Sequence, residues 1–443
     1  MAKLLFVQKY NGPLSGITSI TSYLKKRHEV KLALGSDENI NEKLCSFRPD
    51  VVGIYGLSID HNWILKLARQ IKSAHRSLIL IGGPHATFYP DIIEDSHIDA
   101  ICIGEGENPV LTLLDRIDDS KDYADIRSLW VKKSNRLYKN EIGALLKPEE
   151  IPVPDIGIYD DFPDILSSES LGVVCSRGCL FNCNFCGNYT LRKMYKDNFF
   201  RVRKIDDIIE EIERAKKVKN IKVIIFQDDI FGIDKKWLKD FLKQYNEKIK
   251  LPFYCLLRCD LITEDLIDQL KDAGCFRVGV GIESGCEDMR NKVLGKRLSD
   301  ATIEKSIKIL RDKDVKFHTF NMFGLPEEDY SSALKTLELN IKLKPDPAKS
   351  LIFQPLPGTK FFSKDIEKSI LSPDFSMFKI NHSYHKDSAK IQRLQKLFML
   401  IVRFPFLKHL LPILVRLPFD KLYDRLSRLC WDLLYIRKIE KGT

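Results

Sequence analysis

The chain has 443 residues, of which 44% are hydrophobic and 30% are charged, proportions typical of soluble globular proteins with room for two domains and a tail. The net charge of +10 is uneven, because residues 390–443 hold twelve basic and four acidic residues while the preceding part is nearly neutral. This distribution argues against a broad nucleic-acid-binding face on the main domains. No apolar run reaches the roughly 18 residues that a membrane-spanning helix needs.

The first predicted element is a core-like strand at residues 4–7, so we expect no signal peptide ahead of it. Further apolar runs stand at residues 30–33, 51–55, 78–81 and 100–103, separated by amphipathic helical segments. Strands that alternate with helices indicate an α/β fold with a doubly wound, five-stranded parallel sheet over residues 1–140. The eleven cysteines and the absence of a secretion signal predict a reducing, cytoplasmic location.

Glycine-rich turns follow three of these strands, at the edge where doubly wound sheets bind ligands. Each turn alone is compatible with a tight connection from strand to helix, but three at one edge favour a binding face. The candidate residues in these turns are Ser58, Gly82, Gly83, His85, Gly104, Glu105 and Gly106. His61, at the start of a predicted helix, is expected to be a surface residue.

Residues 141–168 are rich in proline and acidic residues, which predicts a linker without regular elements. Beyond this linker, six strand-like runs alternate with amphipathic helices over residues 169–362. They indicate a partial (β/α)6 barrel, whose chemistry is expected at the carboxyl ends of its strands. Residues 363–443 are predicted to form a basic, apolar helical region.

The cysteine triplet Cys179, Cys183 and Cys186 follows the first barrel strand with the spacing C-x3-C-x2-C. Three thiolates can hold three irons of a 4Fe–4S cluster and leave the fourth iron open to a substrate. Zinc is the competing interpretation, although structural zinc sites use four ligands and no second cysteine pair follows. Cys175 is a conceivable fourth ligand, but its position favours a thiol at the end of a strand.

Polar side chains also follow the later barrel strands. Each one alone is compatible with a helix cap, a solvated turn or a surface salt bridge, whereas arginine in such a place can also pair with a ligand carboxylate. Two adjacent acids would repel each other, so only one of the pair is expected to contact a ligand. The candidates are Asp228, Asp229 and Arg258.

The triplet, with the aromatic Phe185 before its last cysteine, resembles the signature of the radical S-adenosylmethionine (SAM) superfamily. The resemblance implies that the three cysteines are catalytic cluster ligands and that the open iron chelates SAM. Reductive cleavage would then produce a 5′-deoxyadenosyl radical, with electrons from a flavodoxin-type or ferredoxin-type donor. It also implies SAM contacts for Phe185, for one acid of the pair Asp228 and Asp229, and for Arg258, Glu283, Ser284 and Gly324 at the later strand ends. The loop at Gly324 departs from the family pattern, because Glu327 replaces its second glycine.

The N-terminal part resembles the cobalamin-binding, flavodoxin-like domain of B12-dependent radical SAM enzymes, such as the anaerobic magnesium-protoporphyrin cyclases and related methyltransferases. The fragments that carry this resemblance are Asp50-Val-Val-Gly-Ile54, Gly82-Gly-Pro-His85 and Ile103-Gly-Glu-Gly-Glu107. Other cobalamin proteins place a cobalt-ligating histidine after their first strand, but this loop reads Gln8-Lys-Tyr-Asn-Gly12. The resemblance therefore implies cobalamin bound without that histidine, and a backbone or phosphate contact for His85.

The two resemblances together imply an enzyme that methylates an unactivated carbon of a small or lipid-like substrate. Cyclisation, oxygen insertion or rearrangement with the same cofactors is an alternative, and a cofactor-binding protein without its own turnover is another. For residues 390–443, Pro405, Pro412 and Pro418 predict short helices. These helices either cap the barrel or lie on an anionic membrane surface.

Overall fold

The computed structural model describes residues 1–196, 199–380 and 387–436, apart from the side chains of residues 37 and 434–436. The chain divides into two compact units. The first unit contains residues 1–168, 186–219 and 356–373. The second contains residues 169–185, 220–355 and 374–443.

The strands and helices alternate along most of the chain. The strands are β1 (Lys3–Gln8), β2 (Glu29–Leu34), β3 (Val51–Tyr55), β4 (Leu78–Gly82), β5 (Ala100–Cys102), β6 (Leu129–Lys133), β7 (Arg136–Lys139), β8 (Ser170–Val173), β9 (Ser176–Arg177), β10 (Arg201–Val202), β11 (Val223–Phe226), β12 (Phe253–Leu257), β13 (Cys275–Glu283), β14 (Lys316–Phe323) and β15 (Ala348–Ile352).

The α-helices are α1 (Ser15–Leu24), α2 (Asp37–Phe47), α3 (His61–Ala74), α4 (Pro84–Phe88), α5 (Glu107–Asp118), α6 (Pro163–Leu166), α7 (Asn188–Tyr195), α8 (Ile205–Val218), α9 (Lys235–Lys248), α10 (Glu264–Asp272), α11 (Asp300–Asp312), α12 (Tyr330–Leu343), α13 (Lys364–Ile370), α14 (Ser388–Arg403), α15 (Leu411–Leu414) and α16 (Asp420–Cys430). Short 3₁₀ or π turns occupy Ser58–Asp60, Pro90–Glu94, Pro148–Glu150, Ile156–Tyr159, Cys259–Leu261, Met289–Val293, Pro405–Leu410 and Trp431–Ile436.

The first unit is built on a sheet with the strand order β2-β1-β3-β4-β5-β6-β7. Its first five strands are parallel, as predicted, and apolar side chains are buried on both faces of the sheet. The prediction of five strands was incomplete, because β6 and β7 extend the sheet as an antiparallel hairpin. Ser134 and Asn135 join these two strands with φ angles of 49° and 59°, as a two-residue hairpin turn requires.

The predicted linker is folded as part of the first unit. Tyr159 lies fully buried in its core, where its hydroxyl donates to Gln8 Oε1 at 2.7 Å and accepts from the Leu14 N–H at 3.0 Å. Short helical turns begin at Pro148 and Pro163, because proline fits the first turn of a helix, where its missing N–H costs nothing. The expectation of a segment without regular elements was therefore wrong.

The second unit contains six parallel strands in the order β15-β14-β13-β12-β11-β8, which confirms the predicted partial barrel. Four of its helices, α9 to α12, begin after a residue whose side chain accepts a backbone N–H of the first turn. These N-cap residues are Asp234, Thr263, Ser299 and Asp329. Such caps fix where each helix starts, and so define the loops that follow the carboxyl ends of the strands.

The C-terminal region is helical, as predicted, and its last residues, 437–443, lie outside the described residues. Helix α14 packs on β14, β15 and α12 through an apolar face. The Phe398 ring lies 5.2 Å from the Phe323 ring, and the Gln395 amide donates to the Ser350 carbonyl of the edge strand β15 at 3.2 Å. Among the described helices, none has the length and apolar character needed to cross a membrane.

We expect Phe398→Ala to lower the free energy of unfolding by about 3–5 kcal/mol, because the substitution leaves a cavity between α14 and the barrel. Phe406→Ala is the matched control, since 68% of Phe406 is exposed, and it should change stability by less than about 0.5 kcal/mol. Urea unfolding followed by circular dichroism measures both variants. Equal effects of the two substitutions would contradict a structural role for α14.

Candidate functional site

The cysteine triplet follows β8. Cys179 is buried, whereas Cys183 and Cys186 are half-buried. Burial raises the pKa of the Cys179 and Cys183 thiols above their usual value, so binding of iron would have to displace their protons. In the described part of the chain, no three His, Cys, Asp or Glu side chains surround a single ion position. A cubane does not require such a set, because each thiolate binds a different iron.

Cys183 lies beside two buried cations of the second unit. The Arg258 Nη1 atom lies 3.8 Å from the Cys183 sulfur, and the guanidinium stacks over the Phe181 ring at 4.0 Å. Arg258 is held there by Asp260, which accepts from its Nε at 2.8 Å, and by the carbonyl oxygen of Lys296. Lys296 and Arg258 both oppose the effect of burial on the pKa of Cys183.

Glu283 and Lys296 form a buried ion pair at the end of β13. The Lys296 ammonium lies 2.7 Å from Glu283 Oε1, and both side chains are nearly enclosed. Glu283 has a φ of 68°, in the left-handed region that non-glycine residues seldom adopt. Sequence reasoning missed Lys296, since it stands in the loop after β13 and belongs to no spacing pattern.

The two adjacent acids after β11 have different environments. Asp228 is buried and accepts the Cys175 N–H at 3.1 Å and the Ser176 hydroxyl, so it joins the ends of β8 and β11. Burial raises the pKa of Asp228 to about 6. Asp229 is exposed. The structure thus separates the two acids, one inside the unit and one at its surface.

Ser284 and Gly324 also lie in buried turns of the second unit. The Ser284 hydroxyl accepts the Cys286 N–H at 3.2 Å. Gly324, with a φ of 73°, donates its N–H to Glu328 at 2.6 Å. Among the predicted residues of the second unit, the structure brings Cys183 and Arg258 into contact, while Asp228, Ser284 and Gly324 bond to neighbouring segments.

In the first unit, His85 connects two of the predicted turns. Its Nδ1 lies 3.2 Å from the Ser58 hydroxyl, and its Nε2 lies 3.0 Å from Nδ1 of His61. The ring stacks on Tyr89 at 5.4 Å, and burial followed by the neighbouring His61 lowers the pKa of His85 to about 3. Both ring nitrogens thus have protein partners. The expectation that His61 is a surface residue was wrong, because this network half-buries it.

The predicted glycines differ in the space around them. A methyl group at Gly82 would meet no atom within 4 Å, so this position leaves room for a ligand. At the other three positions a methyl group would collide with the protein itself. Gly83, Gly104 and Gly106 face the side chains of Tyr55, Tyr195 and Ile20, respectively.

Glu105 is engaged within the first unit. Its carboxylate accepts from Arg201 at 2.6 and 3.1 Å and from the Leu146 N–H at 3.2 Å. The Glu105 N–H donates to the Tyr195 hydroxyl at 3.3 Å. A cleft of about 340 Å³ lies beside Glu105 and Tyr195.

A buried carboxylate that sequence reasoning missed lies between the loops after β1 and β3. Asp60 accepts from Lys9 at 3.0 Å and from the Tyr10 hydroxyl at 2.7 Å. The strand order reverses between β1 and β3, and doubly wound sheets bind their ligands in this crevice. In the sequence, the only feature noted in the loop Gln8-Lys-Tyr-Asn-Gly12 was the absence of a histidine.

The chain thus has a doubly wound sheet followed by a partial barrel with a cysteine triplet after its first strand. This arrangement is typical of α/β enzymes that bind ligands at the carboxyl ends of their strands. Residues 3–114 match the B12 binding domain, and residues 173–339 match the radical SAM superfamily. The chain therefore carries a B12 binding domain ahead of a radical SAM domain. Its cofactors are a 4Fe–4S cluster, SAM and cobalamin.

Two curated relatives span most of the chain. An uncharacterized methyltransferase of Pyrococcus horikoshii is 29% identical over 379 residues, which cover 81% of this chain and 80% of that protein. The anaerobic magnesium-protoporphyrin IX monomethyl ester cyclase of Rubrivivax gelatinosus is 26% identical over 358 residues, covering 74% of this chain and 60% of that protein.

A solved structure shares the fold. The radical S-adenosylmethionine methyltransferase TsrM from Kitasatospora setae, solved with cobalamin and a 4Fe–4S cluster bound, superposes with a TM-score of 0.67. The superposition covers 82% of this chain and 74% of that chain at 15% sequence identity. This likeness confirms the predicted architecture.

We expect Arg258→Gln to make the reduction potential of the cluster more negative by about 50 mV, the equivalent of roughly 1 kcal/mol for a one-electron couple. The reason is that a cation beside a ligand sulfur stabilises the reduced, more negative cluster. Potentiometric titration followed by electron paramagnetic resonance measures the change. Arg258→Lys should recover part of it.

The matched control for this shift is Arg297→Gln, which removes an exposed arginine of the same unit. It should leave the potential unchanged. An unaltered potential in fully loaded Arg258→Gln would show that the contact with Cys183 has no electrostatic role at the cluster.

We expect Glu328→Gln to remove part of the pH dependence of stability. Burial raises the pKa of Glu328 to about 8 from an ordinary 4.5, so its contribution is fully present below pH 4.5 and is lost as the pH rises to about 8. Within that window, the free energy of unfolding of the wild type should fall by about 1 kcal/mol more per pH unit than that of the variant. Denaturant unfolding at several pH values in this range measures the slope of the free energy of unfolding against pH. Glu327→Gln, which changes the exposed neighbouring residue, is the control. Parallel slopes for all three proteins would exclude a buried, protonated Glu328.

Proposed function

We propose that this protein is a cobalamin-dependent radical SAM methyltransferase that methylates an unactivated carbon of a small or lipid-like substrate. The observation that carries the proposal is the B12 binding domain followed by a radical SAM domain, in a chain whose methyltransferase relative spans 81% of its length. A radical generator and a methyl carrier in one chain imply two linked half-reactions. The cofactors supply this chemistry, while the protein binds, orients and excludes water.

In this proposal Cys179, Cys183 and Cys186 hold the cluster and leave one iron open for SAM. The contact of Arg258 with the Cys183 sulfur supports a place for this arginine at the cluster, beside the positive charge of Lys296. Phe185 lies within 6.0 Å of the Lys296 ammonium, which is compatible with a position near the same site.

The remaining SAM contacts are proposed for Glu283, Ser284 and Gly324, together with one acid after β11. Asp229 is the better candidate of the two acids, since its side chain is exposed whereas that of Asp228 is buried. Asp228 would then position the loop that begins at Cys175. Its partners fix the distance between the ends of two neighbouring strands.

Cobalamin is proposed to bind at the carboxyl edge of the first unit's sheet. The open space above Gly82 and the polar group formed by Lys9, Tyr10 and Asp60 at the crevice between β1 and β3 support this placement. Ser58, Gly83, His85, Gly104, Glu105 and Gly106 lie in the surrounding turns. The side chains of His85 and Glu105 would act by holding these turns, because both already bond within the protein.

We also propose an external one-electron donor of the flavodoxin or ferredoxin type and a cytoplasmic location. The eleven cysteines all lie in the described part of the chain and form no disulfide bond, which suits a reducing compartment. Ring closure with the same cofactors is the second candidate function. It is favoured by the relative from Rubrivivax gelatinosus, which is named as a cyclase.

The test uses the full-length protein, reconstituted anaerobically with iron, sulfide and cobalamin and supplied with a reductant and SAM that carries a labelled methyl group. We expect 5′-deoxyadenosine in solution and label on the protein-bound corrinoid before any substrate is added. Formation of 5′-deoxyadenosine without label on the corrinoid would favour cyclisation over methyl transfer. Failure to form 5′-deoxyadenosine would favour a protein without its own turnover.

Cysteine variants are the matched controls for this reaction. Cys186→Ala should lose cluster iron and reduce 5′-deoxyadenosine to the level of a reaction without protein. Cys175→Ala should retain both the cluster iron and the formation of 5′-deoxyadenosine. The proposal does not use Cys175 as a cluster ligand, and alanine keeps the backbone N–H that this residue donates to Asp228. Loss of the cluster in Cys175→Ala would instead restore the four-cysteine interpretation.

A further inference from the structure

The C-terminal helices expose an unusual amount of apolar surface. Of the thirteen strongly exposed large hydrophobic side chains in the described residues, eight lie between residues 404 and 433. They are Phe404, Phe406, Leu410, Ile413, Phe419, Leu422, Leu429 and Leu433. Apolar surface concentrated in one short segment of a chain marks a contact site for another surface.

Helix α16 shows how this surface is arranged. Leu422 and Leu429 are 50% and 54% exposed, and their spacing of seven residues places them on the same side of the helix. Lys421, Arg425 and Arg428 are exposed on the adjoining side. The opposite side, with Tyr423 and Cys430, is buried.

Charges on α16 are sorted between its inner and outer sides. Asp420 pairs with Arg393 at 3.2 Å, and Asp424 pairs with Lys396 at 2.9 Å, so both acids of this helix face α14. No described carboxylate forms an ion pair with Lys421, Arg425 or Arg428. The outer side of α16 therefore presents leucine beside uncompensated positive charge.

We propose that the outer side of α16, together with the exposed aromatic and aliphatic residues of 404–413, docks onto an anionic lipid bilayer. A helix that carries leucines next to lysine and arginine lies flat at a lipid interface, with the apolar side chains in the acyl boundary and the cations at the headgroups. This inference does not depend on the proposed reaction, because none of these residues belongs to the cofactor sites.

The charge pattern favours a bilayer over other occupants. A second copy of the chain docking through a two-fold axis would place the same basic side against itself, at a cost in repulsion. A nucleic acid would use the cations through its phosphates but would leave the leucines in contact with water. An anionic bilayer satisfies both parts of the surface.

The test is flotation of the full-length, cofactor-loaded protein with vesicles of phosphatidylcholine, with or without phosphatidylglycerol. We expect binding to the vesicles that contain phosphatidylglycerol and weaker binding as salt is added. The variant Lys421→Gln/Arg425→Gln/Arg428→Gln should bind on the order of 100-fold more weakly, since each cation near an anionic surface contributes about fivefold. Leu422→Ser/Leu429→Ser should bind at least about tenfold more weakly.

The matched control is Lys235→Gln/Lys236→Gln/Lys239→Gln, which removes three exposed lysines from α9 of the same unit and should bind as the wild type does. Circular dichroism establishes that every variant is folded. The proposal is overturned if the wild type floats with neither vesicle, or if the control loses as much binding as the α16 variants. It is also overturned if the leucine variant abolishes only self-association in sedimentation experiments, or if the wild type binds nucleic acid and not lipid.

Discussion

Both units depend on one constraint, that parallel strands connected by helices bring all their carboxyl ends to the same edge of a sheet. Side chains far apart in the chain thereby become neighbours. Arg258 reaches the sulfur of Cys183 from 75 residues away, and Tyr10 reaches Asp60 from 50 residues away.

Burial then determines the charge state of the groups that meet at these edges. Removal from water raises the pKa of the Cys183 thiol, of Asp228 and of Glu328, because the charged form loses its hydration. The two cations near Cys183 act in the opposite direction. The second unit thus holds two acids whose pKa values are raised, and it places two buried cations near Cys183, where a cluster with thiolate ligands would add negative charge.

The fold and the cysteines were readable from the sequence because strong local patterns encode them. Apolar runs predicted the five parallel strands of the first unit and the six of the second. Strands β6 and β7 mix polar and apolar residues and were therefore not predicted. Contacts across distant loops leave no such pattern. Only the structure reveals the positions of Lys296 and Asp60 and the contact of His85 with His61. The space beside Gly104, where a ligand was expected, is occupied by the side chain of Tyr195.

Helix α14 has a consequence for the solubility of the chain. The six-stranded sheet is open, so β15 is an edge strand, and an uncovered edge invites pairing with strands of other molecules. Helix α14 covers this strand, and the Gln395 amide donates to the Ser350 carbonyl. This carbonyl is one of the backbone groups with which a strand of another molecule could pair. By covering this edge strand, the C-terminal region thus protects the sheet from pairing with other molecules and so from aggregation.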